Sequence, residues 1–119
     1  MNTNLIPSKT HAFIDYVAAA SLIGVPLLLS GKKKGLETYL PMALGAGVLA
    51  QSLFTKYELG VKKKISMPRH LQMDYVQGAL LAAAPFLFGF RKKSWIPHVA
   101  MGVSELAVAF FSKPYPRTL

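Results

Sequence analysis

The stretch His11-Ala-Phe-Ile-Asp15-Tyr16 opens a long apolar segment, and the same pattern returns as His70-Leu-Gln-Met-Asp74-Tyr75. In both copies a histidine precedes an Asp-Tyr pair by four residues. A charge at the centre of a membrane-spanning helix costs at least about 2.5 kcal/mol. The same two ionisable groups at the same spacing in two apolar segments therefore indicate a specific role.

The apolar segments predict an all-α fold with four transmembrane helices. The chain has 119 residues, and four stretches contain neither Lys nor Arg: residues 11–31, 38–55, 70–90 and 94–112. At about 1.5 Å per residue, each would cross most or all of a hydrocarbon core about 30 Å thick. Between Val17 and Leu29 the only polar side chain is that of Ser21. This helix therefore lacks the polar stripe expected in a soluble protein.

The two halves of the chain align as an internal duplication. His, Asp, Tyr and Val of the motif recur at an offset of 59 positions, as do the mid-helix prolines Pro26 and Pro85. We expect one membrane domain, residues 1–119, with repeat 1 at about 8–56 (helices 10–31 and 38–55) and repeat 2 at about 67–113 (helices 69–90 and 95–112). Each repeat has two spans, so both copies enter the membrane from the same side. The prediction is a four-helix bundle of two duplicated parallel helical hairpins.

Shorter motifs extend the alignment and predict close helix packing. Thr38-Tyr39-Leu40-Pro41 pairs with Ser94-Trp95-Ile96-Pro97, and Phe54-Thr55-Lys56 pairs with Phe111-Ser112-Lys113. Small residues four apart favour close contact between membrane helices. They are Ala20 and Gly24, Ala43 and Gly47, Gly78 and Ala82, and Ala100 and Ser104.

The net charge of +9 is concentrated in the connections between the apolar stretches. The basic clusters are Lys32 to Lys34, Lys62 to Lys64 with Arg69, and Arg91 to Lys93. Beside membrane spans, such clusters favour contact with anionic lipid headgroups over nucleic acid. Tyr39 and Trp95 are expected to anchor helix ends at the interface.

Orientation and processing are predicted from the same charges. The side with the termini has eight basic residues, among them Lys9 and Arg117, and the opposite side has six. This slight excess favours cytoplasmic termini. Lys9 alone is a poor positive region for a signal peptide, so we expect the first helix to be retained. We expect a multi-pass protein in the cell membrane of a prokaryote.

The ionisable groups are expected to converge in the bundle interior. A separation of four residues places His11 and Asp15 on one helix face, and His70 and Asp74 on another. The predicted cluster consists of His11, Asp15, His70, Asp74, Gln77 and Glu105. Gln51 is a further candidate, whereas His98 is expected near the other membrane face.

Three hypotheses compete for this cluster. In the structural one, His11 reaches Asp74 and His70 reaches Asp15, so the hairpins are joined by charge-assisted hydrogen bonds. In the second, the same four residues bind a divalent metal such as Zn, Fe or Mn. In the third, they relay protons or cations. Haem or chlorin ligation by a histidine is a further alternative.

No catalytic motif points to an enzyme. The chain lacks a phosphate loop, a nucleophile triad and a dinucleotide fingerprint. We therefore identify no catalytic residues and expect no cofactor unless the cluster binds a divalent metal. The leading hypothesis is a non-enzymatic membrane module, either self-associating or an accessory subunit of a membrane complex. An enzyme acting on a lipid or quinone has little support in the sequence.

The repeat unit resembles the SPW repeat of small prokaryotic integral membrane proteins. The unit runs from His-x-x-x-Asp-Tyr to Ala84-Pro85-Phe86-Leu87-Phe88-Gly89-Phe90, where Ala84 and Phe86 replace the Ser and Trp of the name. Val25-Pro26-Leu27 in the first copy departs further. The resemblance covers nearly the whole chain. It implies a four-helix membrane protein and supplies no established activity.

Overall fold

The computed structural model describes residues 4–29, 31 and 34–114. Over these residues the chain is helical without named strands, which confirms the all-α prediction. The helices are α1 (Ser8–Leu29), α2 (Leu36–Leu53), α3 (Met67–Leu87), α4 (Arg91–Ser94) and α5 (Ile96–Phe111). Lys32 and Lys33 of the first basic cluster, and Arg117 on the side of the termini, lie outside the described residues.

One helix of the described part is both long and apolar enough to cross a membrane. This is α1, with 22 residues. Helix α5 is apolar but has only 16 residues. By length and composition alone, the helices therefore support fewer than the four spans expected from the sequence.

The helix ends differ from the predicted ranges by one to three residues for identifiable reasons. Helix α3 ends at Leu87 instead of residue 90 because Gly89 adopts a positive φ of 75°, a common way to end a helix. It begins at Met67 because the Ser66 side chain accepts a hydrogen bond from the Arg69 N–H. Helix α2 ends at Leu53, which leaves Thr55 outside the helix.

Two pairs of helices pack closely: α1 with α2, and α3 with α5. In the first pair, a Cβ added to Gly45 would lie 3.0 Å from the Ala19 carbonyl oxygen. In the second, a Cβ added to Gly102 would lie 2.6 Å from the Gly78 carbonyl oxygen and 2.5 Å from the Ala82 amide nitrogen. Each pair therefore has a glycine at its closest approach.

Two equivalent backbone bridges link the helix pairs to each other at one end of the molecule. Ile6 forms a parallel bridge with Ser112, and Ile65 forms one with Thr55. In the first bridge the Ile6 N–H donates to the Phe111 carbonyl at 2.8 Å. In the second the Ile65 N–H donates to the Phe54 carbonyl at 2.7 Å. Both bridges lie at the end of the molecule where α1 and α3 begin.

Several polar groups lie inside the protein, and many large apolar groups lie outside. His11, His70 and Thr55 are fully buried. By contrast, Phe13 on α1 is 62% exposed and Val76 on α3 is 68% exposed. Large exposed apolar surfaces mark contact with a membrane or a partner.

Candidate functional site

The four ionisable groups of the repeated motif meet in one buried cluster. His11 Nε2 lies 3.0 Å from Asp74 Oδ2, and His70 Nε2 lies 2.9 Å from Asp15 Oδ2. Within α1 and within α3, the histidine Nε2 is 3.2 Å from Oδ2 of the aspartate in the same helix. Both histidines are 0% exposed and both aspartates are 6% exposed. The cluster therefore connects α1 with α3 through two reciprocal contacts.

A hydroxyl group holds the other ring nitrogen of each histidine. Thr55 Oγ1 donates its hydrogen to a backbone carbonyl four residues earlier, so it accepts from His70 Nδ1, 2.6 Å away. Ser112 Oγ likewise donates to a carbonyl four residues earlier and accepts from His11 Nδ1, 2.5 Å away. This hydrogen-bond network assigns a proton to both Nδ1 atoms. Both Nε2 atoms therefore point at the aspartates with either a lone pair or a second proton.

The polar neighbours of the two aspartates differ. Tyr57 donates its hydroxyl hydrogen to Asp15 Oδ2 at 3.1 Å. Gln51 Nε2 donates to Asp74 Oδ1 at 2.8 Å. Gln77 joins the cluster indirectly, because its Nε2 donates to Gln51 Oε1 at 3.0 Å. The two aspartates are therefore held by different groups although their contacts with the histidines are alike.

Tyr57 closes one side of the cluster from the connection between α2 and α3. Its side chain is fully buried, and its ring centroid lies 5.2 Å from that of His70 and 6.5 Å from that of His11. Burial raises the pKa of the Tyr57 phenol, and the Asp15 carboxylate raises this pKa further. The phenol therefore stays protonated and acts as a hydrogen-bond donor to Asp15.

Two other ionisable residues of α5 lie apart from the cluster. Glu105 is half-buried and lines a cavity of about 270 Å³ together with Asp15 and Asp74. His98 lies at the other end of the molecule, where its Nδ1 is 3.0 Å from Ser94 Oγ and its ring packs edge-on against Phe90. The structure thus brings Glu105 near the two aspartates without a direct bond and leaves His98 distant.

Tyr39 and Trp95 are both at the His98 end of the molecule. Tyr39 is 52% exposed near the start of α2, and Trp95 is 49% exposed between α4 and α5. Their role as interface anchors stays a prediction.

Comparison with known proteins gives a family. The model of the SPW repeat domain matches residues 9–112. This chain belongs to the SPW repeat family. The match includes both copies of the His-x-x-x-Asp-Tyr motif and confirms the resemblance. No curated protein and no solved structure gives a significant match to the chain. Membership of the SPW repeat family, together with the apolar helix α1, indicates a membrane protein and establishes no activity.

The cluster of this SPW protein has the composition of a metal-binding site. One ligand atom from each of His11, Asp15, His70 and Asp74 lies within 4.8 Å of all the others. Imidazole nitrogen and carboxylate oxygen suit zinc, and a metal-bound histidine usually donates its other ring N–H to an oxygen. The two hydroxyl groups already accept such hydrogen bonds. Without a metal, protonated imidazoles would form ion pairs with the aspartates, although only His11 Nε2 has the alignment of a hydrogen bond, to Asp74 Oδ2.

The sequence prediction omitted three groups that contact the cluster. Thr55 and Ser112 were aligned as repeat counterparts, but their hydroxyls were not assigned to the site. Their equivalent positions after the second helix of each repeat could have indicated an equivalent role at the site. Tyr57 had no such signal, because its place in the second repeat is taken by Pro114.

Proposed function

We propose that this SPW-family chain is a multi-pass membrane protein of four spans, built from two duplicated, parallel hairpins and not acting as an enzyme. The function that we assign to the buried cluster is to join the hairpins. The reciprocal contacts of His11 with Asp74 and of His70 with Asp15 carry this proposal. Because each contact links α1 to α3, loss of either one weakens the same connection between the two hairpins.

The recurrence of contacts in both halves supports the duplicated hairpins. Ile6 and Ile65 bridge equivalent residues, and Thr55 and Ser112 hold equivalent histidines. The exposed apolar side chains on α1 and α3 support lipid contact along these helices. Helices shorter than the bilayer core are accommodated by local thinning of the bilayer.

The basic connections support a position in the cell membrane of a prokaryote. Lys62, Lys63 and Lys64 are exposed at the cluster end, whereas Arg91 and Lys92 are exposed at the other end. Both groups suit anionic headgroups, and the small excess at the terminal side favours cytoplasmic termini. We further propose that the protein self-associates or serves as an accessory subunit of a membrane complex.

Replacing both aspartates tests whether the cluster joins the hairpins. We expect Asp15→Asn with Asp74→Asn to lower the thermal stability of the protein in detergent, because breaking a buried ion pair costs about 3 kcal/mol or more. Glu37→Gln is the matched control. Glu37 pairs at 4.0 Å with Lys93, which is 71% exposed, so its loss should cost less than about 1 kcal/mol. Equal unfolding temperatures for the double variant and the wild type would refute the role of the cluster in joining the hairpins.

A second candidate function is binding of a divalent metal ion by the same four residues. His70 Nε2 favours it, because this buried atom lies 2.9 Å from Asp15 Oδ2 without the alignment of a hydrogen bond. For ligands about 2.0 Å from a tetrahedral zinc ion, neighbouring ligand atoms are about 3.3 Å apart. The four Nε2 to Oδ2 distances, 3.2, 3.0, 2.9 and 3.2 Å, are close to this value.

Elemental analysis separates the two functions. If the cluster binds zinc, protein exposed to Zn²⁺ and then desalted should retain about one equivalent, and a chelator should lower its thermal stability. Asp74→Asn should lose the metal, whereas His98→Gln, which removes the distant histidine, should keep it. If the wild-type protein retains no zinc and a chelator does not change its stability, the metal-binding function is refuted. Joining the hairpins is then the function of the cluster.

A further inference from the structure

A large pocket lies between the two hairpins at the His98 end of the molecule. Its volume is about 610 Å³, and most of its lining comes from the C-terminal part of α1 and the first turns of α2 and α5. Leu22 and Leu81 in this lining are buried, whereas Val25 and Leu29 are exposed. The pocket is open on one side, and its accessible surface is mostly apolar. Since the exposed apolar side chains of α1 are assigned to lipid contact, the pocket opens toward the hydrocarbon of the bilayer.

The equivalent gap between the hairpins, between α2 and α3, is bridged by two glutamines. Gln51 donates to Asp74 Oδ1 at 2.8 Å, and Gln77 donates to Gln51 Oε1 at 3.0 Å. The repeat counterparts of these glutamines are Val108 on α5 and Ala18 on α1. Their apolar side chains cannot form such hydrogen bonds. The polar link between α2 and α3 therefore has no equivalent at these positions between α1 and α5, where an apolar ligand can enter.

Two opposite charges lie at the polar end of the pocket. Glu37 of the first hairpin and Lys93 of the second both belong to its lining, and the Glu37 Oε1 to Lys93 Nζ distance is 4.0 Å. The ion pair is loose, because the Lys93 side chain is 71% exposed. A headgroup with a phosphate and a primary ammonium group carries the complementary charges. Its phosphate suits Lys93, and its ammonium group can donate to the Glu37 carboxylate.

We propose that this pocket binds a phospholipid whose headgroup carries a primary ammonium group. One acyl chain enters between α1 and α5 and lies against Leu22 and Leu81, along about 12 Å of α1. The headgroup lies at the end of the pocket, between Glu37 and Lys93. This inference rests on the proposed position of the chain in a membrane. It adds a specific lipid to the general contact of the basic connections with anionic headgroups.

Native mass spectrometry of the full chain in detergent tests the headgroup site. The probes are phosphatidylethanolamine and phosphatidylglycerol with identical acyl chains, and the wild type should prefer phosphatidylethanolamine because only this lipid has the ammonium group. Glu37→Gln should raise the Kd for phosphatidylethanolamine about fivefold, the upper end for an exposed ion pair, without weakening phosphatidylglycerol. Glu105→Gln is the matched control. It makes the same chemical change on α5 outside this pocket and should bind both lipids like the wild type.

Ala100→Phe tests the apolar part of the pocket. Ala100 belongs to the lining and is exposed, so the larger side chain can fill the pocket without displacing packed neighbours. Both lipids should lose binding by a similar factor, because the acyl chain is excluded whatever the headgroup. Val103→Phe is the control, since Val103 is exposed on the same helix outside the lining of this pocket. It should leave the binding of both lipids unchanged.

The possible failures are distinguishable. Equal wild-type affinity for the two lipids, or an unchanged preference in Glu37→Gln, would overturn the site while leaving the membrane position intact. Unchanged lipid binding by Ala100→Phe would overturn it as well. A wild-type dimer that Ala100→Phe converts into a lipid-free monomer would assign the pocket to a second copy of the chain instead. A chain that stays in solution without detergent would refute the membrane position itself, and the lipid site with it.

Discussion

Each histidine of the cluster is oriented by a hydroxyl that is itself bound to a backbone carbonyl. Thr55 holds His70 from the end of α2, and Ser112 holds His11 from the end of α5. Because both hydroxyls donate to carbonyls, they accept the Nδ1 hydrogens and keep both Nε2 atoms directed at the aspartates. The helix ends therefore determine the geometry of a site whose charged groups all lie on α1 and α3.

Thr55→Val removes one of these hydroxyls with little change in shape. We expect a loss of about 1 to 3 kcal/mol in stability, because the buried Nδ1–H of His70 is left without an acceptor. Thr55→Ser should behave like the wild type, since it keeps the hydroxyl. Thr10→Val, at an exposed position of α1, is the control and should change stability by less than about 0.5 kcal/mol. Thermal unfolding in detergent measures all three, and a stable Thr55→Val variant would contradict the role of the hydroxyl.

The residues of the cluster could be predicted from the sequence where a repeat marked them. The spacing of His11 with Asp15, and its return at His70 with Asp74, was sufficient to indicate one shared site. Tyr57 contacts the same site from a connection, where no helical periodicity relates its position to the helices. Contacts of this kind depend on the path of the connection, which residue spacing does not encode.

At the scale of helices, glycine positions determine how closely the pairs pack. The sequence predicted close contact at small residues four apart, and Gly78 with Ala82 does lie against Gly102. The pair Ala43 and Gly47 does not face its partner helix: Ala43 is exposed, and a Cβ on Gly47 would meet only Gln77. An almost wholly apolar helix has no polar stripe, so the sequence does not reveal which side faces its partner.

Gly102→Ala tests the close approach of α5 to α3. The new Cβ would lie 2.5 Å from the Ala82 amide nitrogen, so the helices must separate, and we expect a loss of about 1 to 3 kcal/mol. Gly24→Ala is the control, because nothing lies within 4 Å of its Cβ position. In the helix interior this change should stabilise the protein by up to about 1 kcal/mol. Thermal unfolding that ranks the two variants in the opposite order would show that the close approach contributes no stability.

At the scale of the whole molecule, the two ends carry different groups. The cluster, both backbone bridges and the exposed lysines of the α2–α3 connection lie at one end, and His98 with the exposed basic residues of α4 lies at the other. The repeats predicted this division, because an even number of helices in each returns the chain to its starting side. The proposed four crossings rest on that parity and on the apolar exterior, because α1 is the one helix of the described residues with the length and composition of a span.

Labelling of single cysteines tests the crossing pattern, and the absence of native cysteine makes every label specific. We expect Lys9→Cys and Lys63→Cys to react with a membrane-impermeant maleimide from one side, and Lys92→Cys from the other. Two helices, α1 and α2, separate Lys9 from Lys63, whereas one helix, α3, separates Lys63 from Lys92. With cytoplasmic termini, only Lys92→Cys should react in intact spheroplasts, and the other two should react after lysis. Ala12→Cys, at a position that is 0% exposed, should stay unlabelled until the protein is denatured. Reaction of all three lysine positions from the same side would contradict the four-span arrangement, because a hairpin that crosses the bilayer must expose its tip on the opposite face.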